Sequence, residues 1–256
     1  MKILLVNEKG CFDPGIIALA KALSGNHRVC IVAPLNPLEG TGHRFTTSAQ
    51  PLRVKQYFVL KRVKIYSVNG TPCDCVTLAL DKILKSKPDL IVSGIDCFNN
   101  RGETIHSSGV VSAAIEGTIQ GFKSIAVSTK IPDATSEKDF MPIANAFAKR
   151  LNYLVKNMSP NTTLNVNYPQ KFSSKNIKCT HLTYGMINNK YHPEVNPFGT
   201  QFYWLKTPVM GFALEALDQK GDLYWLKKNF ITVTPLKLDL TNYEAIALVE
   251  KAGIKL

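Results

Sequence analysis

The sequence predicts an α/β fold: a mostly parallel sheet with helices on both faces, in three αβα layers, and a hairpin-like extension towards the C-terminus. Three observations carry this. Short apolar runs alternate with longer stretches whose apolar residues recur at helical spacing through the first two-thirds of the chain. The opening run, Ile3 to Val6, is continuously apolar, as expected of a parallel strand buried on both faces. The 256 residues suffice for one large domain with a substantial core.

The first strand is Lys2–Val6, and it stops at Asn7-Glu8-Lys9-Gly10, where a carboxylate and an ammonium stand side by side. Pro14-Gly15 then opens a helix carrying Ile16, Leu19, Ala20 and Leu23 on one face. Further strands are predicted at 29–33, 63–68, 90–93, 124–128 and 163–167. Helices are predicted at 72–85 (Val76, Leu80, Ile83, Leu84), 108–120 (Val111, Ala114, Ile115, Ile119) and 136–155 (Phe140, Ile143, Phe147, Leu151). After Pro169 the character changes. Residues 170–230 are rich in Asn, Pro and aromatics and suggest hairpins or an arm, with strand-like pieces at 177–184 and 201–206. A last strand at 230–234 precedes Pro235, and a terminal helix is predicted at 242–252. We read residues 1–256 as a single domain of which 170–230 is an arm.

Composition excludes several classes. Apolar residues at 45% and charged residues at 20% are ordinary for a soluble globular chain. No apolar stretch reaches the roughly 20 residues of a membrane helix. The opening apolar run is too short for a secretory leader, so a cytoplasmic location is expected. The six cysteines are scattered and read as reduced thiols. Cys73-Asp74-Cys75 lacks the spacing of a metal or redox pair. The net charge of +12 is spread along the chain with no aromatic-interleaved stripe. It therefore points to small anionic ligands rather than to nucleic acid.

Ligands of an open α/β sheet bind beyond the carboxyl ends of its strands. Three loops should converge there, at 7–15, 34–44 and 94–109. They bring Glu8 and Lys9, then Glu39, then Asp96, Asn99, Asn100, Arg101 and Glu103. The third loop ends in Ser107-Ser108-Gly109, which opens a helix. Those hydroxyls and amide groups suit a phosphate, although a serine at that position also serves simply as a cap. Glu8, Glu39 and Asp96 could hold a hard divalent cation, or be solvated and paired with lysines.

Many ordered segments resemble the survival protein SurE family of metal-dependent nucleoside-monophosphate phosphatases. The opening strand with its Asn-x-x-Gly end and Pro-Gly-Ile is similar to the family's Asn-Asp-Asp-Gly start. Ala33-Pro34, Gly70-Thr71-Pro72-Cys73-Asp74-Cys75-Val76, and Pro88-Asp89-Leu90 with Ser93-Gly94-Ile95 resemble further family segments. So do Ser108-Gly109 with Val111, Leu164-Asn165-Val166-Asn167, and Thr232-Val233-Thr234-Pro235-Leu236 with Asp239-Leu240-Thr241. The resemblance implies a Rossmann-like fold, a phosphomonoester substrate and no membrane partner. It also implies a homodimer or homotetramer in which the 170–230 arm makes contacts.

The departures fall on the site. The family holds its metal through two adjacent aspartates, a serine and an asparagine, and the matching positions here are Glu8, Lys9, Glu39 and Asp96. Ser107 stands where the family has tyrosine and Val110 where it has threonine. Two readings follow. In one, Glu8, Glu39 and Asp96 bind Mg²⁺ or Mn²⁺, Glu8 and Lys9 serve catalysis, and Asn100, Ser107, Ser108 and Gly109 hold the phosphate. In the other, Lys9 takes the metal's place, no cofactor is bound, and an inactive descendant holds a small anion through Lys9 and the 107–109 loop.

Overall fold

The computed structural model describes residues 1–48, 50–60, 62–184, 189–206 and 217–252. A nine-stranded sheet runs through it in the order β3-β4-β2-β1-β5-β6-β7-β11-β8. In chain order the elements are β1 (Lys2–Val6), α1 (Pro14–Ser24), β2 (Arg28–Pro34), β3 (Val54–Leu60), β4 (Val63–Val68) and α2 (Pro72–Leu78). One π-turn, Ala79–Ile83, extends α2. Then come β5 (Leu90–Asp96), α3 (Gly109–Ile119), β6 (Ser124–Thr129), α4 (Glu137–Lys156), β7 (Thr162–Tyr168) and β8 (Ile177–Cys179). The chain continues through β9 (Lys190–Val195), β10 (Gln201–Lys206), α5 (Asp222–Lys227), β11 (Ile231–Lys237) and α6 (Tyr243–Lys251). All pairings from β4 to β7 are parallel, and β3 and β11 run antiparallel to β4 and β7.

Strand β1 lies near the middle of the sheet, so both its faces must be covered, and its sequence allows this. Ile3 and Leu5 enter the layer formed with α1 and α4, where Leu19, Phe140 and Phe147 pack. Leu4 and Val6 enter the opposite layer with Val32, Val76 and Ala113. This period-two division of a wholly apolar strand is the physical content of the three-layer prediction. Register places β2, β1 and β5 side by side, as the convergence of three loops requires. No helix among the described residues is long and apolar enough to cross a membrane.

Four differences from the sequence reading have local causes. Strand β3 was not expected, because Val54, Lys55 and Gln56 are exposed on an edge strand and carry no apolar alternation. The predicted strand at 177–184 is confined to Ile177–Cys179. The final strand continues through Pro235, since β8 pairs with β11 only as far as Val233 and the proline lies beyond that neighbour. Helix α5 is six residues long, too short for a helical period to show. The arm region contains an antiparallel β9–β10 hairpin, and residues 185–188 and 207–216 of it lie outside the described residues.

Helix α1 approaches β5 through Gly15, where an added Cβ would stand 2.3 Å from the Ile95 carbonyl oxygen. Gly15→Ala should therefore displace α1 and lower stability by about 1–3 kcal/mol, the range for overpacking. Urea unfolding measures it, and an unchanged midpoint would refute the close-approach argument.

Candidate active site

The carboxyl ends of β1 and β5 deliver two acidic side chains to one buried place. Glu8 and Asp96 are 4% and 3% exposed. Glu8 lies just beyond β1, and its Oε2 accepts the Gly109 amide at 2.8 Å, at the start of α3. A carboxylate there faces unsatisfied N–H groups and the positive end of the helix. Gly109 is needed for this approach, because a Cβ would stand 2.8 Å from that same oxygen. Asp96 ends β5; its Oδ1 accepts the Phe98 amide and its Oδ2 accepts Asn100 Nδ2, both at 3.1 Å.

Glu39 is brought in by a long loop that is fastened at several points. Leu38 donates to the Glu8 carbonyl at 2.7 Å and Gly42 to the Ser107 carbonyl at 3.0 Å. His43 Nε2 meets Glu116 Oε2 at 2.8 Å, and Thr46 bonds Asp74 through both its amide and its hydroxyl. Between these fastenings the loop presents Glu39, whose Oε1 lies 2.7 Å from Lys9 Nζ. The Lys9 ammonium also lies 5.3 Å from the centre of the Phe98 ring.

Electrostatics follow from burial. Desolvation, and then the negative charge of Asp96, push the Glu8 carboxyl up to about 8, against the opposing Gly109 hydrogen bond. Asp96 is raised by desolvation too, although the Phe98 amide, Lys9 and Asn100 all favour its charged form. Burial is the largest influence on the Lys9 ammonium and disfavours it, but the hydrogen bonds and charges of Glu39 and Cys97 together outweigh burial and move the pKa up. Negative charge between Glu8 and Asp96 is therefore only partly compensated, and Lys9 is spent mainly on Glu39.

The expected site residues divide accordingly. Glu8 and Asp96 come together, with Asn100 attached to Asp96, while Glu39 is drawn onto Lys9. Among the described residues no group of three or more His, Cys, Asp or Glu side chains is placed to hold a metal ion. Of the serine loop, Ser108 Oγ caps α3 by accepting the Val111 amide at 3.1 Å, and Ser107 Oγ donates to the Thr104 carbonyl at 3.2 Å. The Gly109 amide is taken by Glu8.

Sequence reasoning missed the support behind Asn100. The Nδ2 groups of Asn165 and Asn167 both donate to the Asn100 carbonyl, at 2.6 and 2.9 Å, and Asn100 N donates to Ser128 Oγ. The available signal was two asparagines at period two in a buried strand, which must share a face and a polar partner. Asn7 was also passed over; its Oδ1 accepts the Gly10 amide and its buried Nδ2 has no partner among the described residues.

The three-layer fold agrees with the comparisons. Residues 3–190 match the family model described as survival protein SurE. The chain belongs to the SurE family. It is 35% identical over 258 residues to a 5'-nucleotidase SurE of Thermoanaerobacter sp. (strain X514), covering 100% of both chains. It is 37% identical to the 5'-nucleotidase SurE of Geobacter metallireducens, covering 98% of this chain and 96% of that one. The crystal structure of the SurE protein from Aquifex aeolicus superposes with a TM-score of 0.80 at 35% identity, covering 99% of this chain and 100% of that one. SurE membership accounts for the three-layer fold, and with it for the meeting of β1 and β5 at a single crevice.

The pKa of Glu8 has a measurable consequence. The folded carboxyl keeps its proton up to about pH 8, whereas an unperturbed glutamate releases it near 4.5. The folded state therefore binds more protons across that window, and stability falls as pH rises through it. In chelating buffer, urea unfolding at pH 5.5 and pH 8 should show this loss in the wild type and a smaller one in Glu8→Gln. Equal losses would refute the assignment.

Proposed function

We propose that the chain is a SurE-type phosphatase hydrolysing nucleoside monophosphates with a divalent cation, Mg²⁺ or Mn²⁺, at a rewritten site. The observation that carries the reading is the buried Glu8–Asp96 pair at adjacent strand ends, whose charge is incompletely balanced. Two carboxylates plus substrate phosphate oxygens form a donor set that suits Mg²⁺. Glu8 and Asp96 would hold the ion, with Glu39 as a further donor once released from Lys9. Such an ion, when bound, supplies Lewis-acid polarisation of the phosphoryl group and activation of the attacking water.

The chain's own groups do the rest. Glu8 keeps a proton at neutral pH while no countercharge is present, and is the group that gives it up when one arrives. Asn100, braced from β7, orients Asp96 through its Nδ2. Lys9, held by Glu39, brings a positive charge to an incoming phosphate, and the 107–109 loop supplies the exposed Ser107 hydroxyl. The cytoplasmic location and the homodimer or homotetramer belong to the same proposal. Exposed Tyr191, Phe198 and Trp204 on the β9–β10 hairpin support an arm that contacts another copy.

The Lys9–Glu39 ion pair favours a second reading, a catalytically inactive protein that binds a small anion through Lys9 and the 107–109 loop. Assays on nucleoside monophosphates with Mg²⁺, Mn²⁺ or chelator separate the two. The first predicts metal-dependent turnover, lowered about 10²-fold or more in Glu8→Gln and in Asp96→Asn, the scale of a lost acid–base group. Absence of turnover with either metal, together with activity gained by the Glu8→Asp/Lys9→Asp double variant, would establish the second.

A further inference from the structure

The opposite end of the sheet carries a feature that none of this chemistry uses. The chain leaves the helical layer after the Ala79–Ile83 turn, Leu84 becomes extended, and the path then crosses to β5. The sheet face at the amino-terminal ends of β1, β2 and β4 is left partly uncovered, and a groove of about 870 Å³ opens there. That volume falls in the range of small-molecule sites. Its floor is apolar, with Leu4, Cys30, Ile83, Leu84 and the half-buried ring of Tyr66 on the α2 side of the sheet.

Its rim is cationic. The Met1 ammonium, Lys2, Arg28, Arg62, Lys64 and Lys85 line it against a single lining carboxylate, Asp89. Asp89 Oδ2 already accepts the backbone amide of Lys2 at 2.7 Å. None of these cations forms an ion pair among the described residues. Burial, and then the neighbouring N-terminal charge, lower the pKa of His27, in keeping with uncompensated positive potential.

We propose that this groove is a second ligand site that takes a nucleoside di- or triphosphate, its base on the apolar floor beside Tyr66 and its phosphates among the rim cations. Several unpaired cations call for a multivalent anion, and an apolar floor with an aromatic ring calls for a flat organic body attached to it. The site is distinct from the Glu8 crevice, which lies at the carboxyl ends of the same strands.

Calorimetric titration of ATP into the full chain in chelating buffer tests this. Saturable binding is expected, weakened about tenfold or more in Arg28→Glu/Lys64→Glu and unchanged in Glu8→Gln. Equal binding by wild type and the charge-reversed variant overturns the proposal. Inorganic tripolyphosphate binding as tightly as ATP removes the nucleoside from it. Sedimentation that shows the charge reversal altering self-association, with no ATP bound by the wild type, assigns the groove to a contact between copies and overturns it. Should the double variant fail to fold, photolabelling of the wild type by 8-azido-ATP decides. Labelled peptides spanning 62–66 or 83–89 are expected, and labelling confined to 94–109 refutes the second site.

Discussion

The hydrogen bond from the Gly109 amide to Glu8 is the contact around which the crevice is organised. It joins the end of the central strand to the start of a helix more than a hundred positions later in the chain, and it needs a residue without a side chain at the helix start. Through the Glu8 backbone the Leu38 amide is fixed, and with it the approach of the Glu39 loop. Through its side chain Glu8 is kept in a desolvated place beside Asp96, which is why its carboxyl holds a proton far above the ordinary range. One contact thus sets loop position and local charge together.

The magnitudes of the two ionic features differ in kind. The Lys9–Glu39 pair is short, but Glu39 is 52% exposed. Lys9 is 16% exposed, but on the Glu39 side water screens the attraction, and exposed pairs contribute only about 0.2–1 kcal/mol. An incoming phosphate or cation can therefore separate them at little expense. Glu8 and Asp96 cannot leave their surroundings without moving a strand end, so the buried pair is the rigid part of the crevice and Lys9–Glu39 the adaptable part. A rewritten ligand set can in this way keep its overall charge while changing which side chains carry it.

Much of the fold was legible because β1, β2, β5, β6 and β7 are buried on both faces and each carries a short apolar run or alternating apolar residues. The edge strand β3 was not, since most of its residues face solvent, and neither was α5, whose six residues are too few for a helical period to show. Glu8 and Asp96 could be found from their positions at strand ends. The pairing of Lys9 with Glu39 depended on a loop whose path is set by Thr46, His43 and Gly42 bonding to distant partners, which no local pattern encodes. The serine loop showed the opposite limit: hydroxyls at a helix start suit a phosphate and a cap equally well, and Ser108 acts here as a cap.

Asp74 joins two structures that would otherwise behave separately. It completes the reciprocal cap of α2 with Thr71, and the same carboxylate receives both bonds from Thr46 in the Glu39 loop. Thr71 in turn donates its hydroxyl to the Arg44 carbonyl at 2.6 Å. Lifting the loop strips partners from a helix end, and fraying that helix end frees the loop. The two therefore open as one cooperative unit, with the amides of Thr46 and Thr71 exchanging with solvent in concert. Access to the crevice is governed by the first turn of a helix that contributes no side chain to its chemistry.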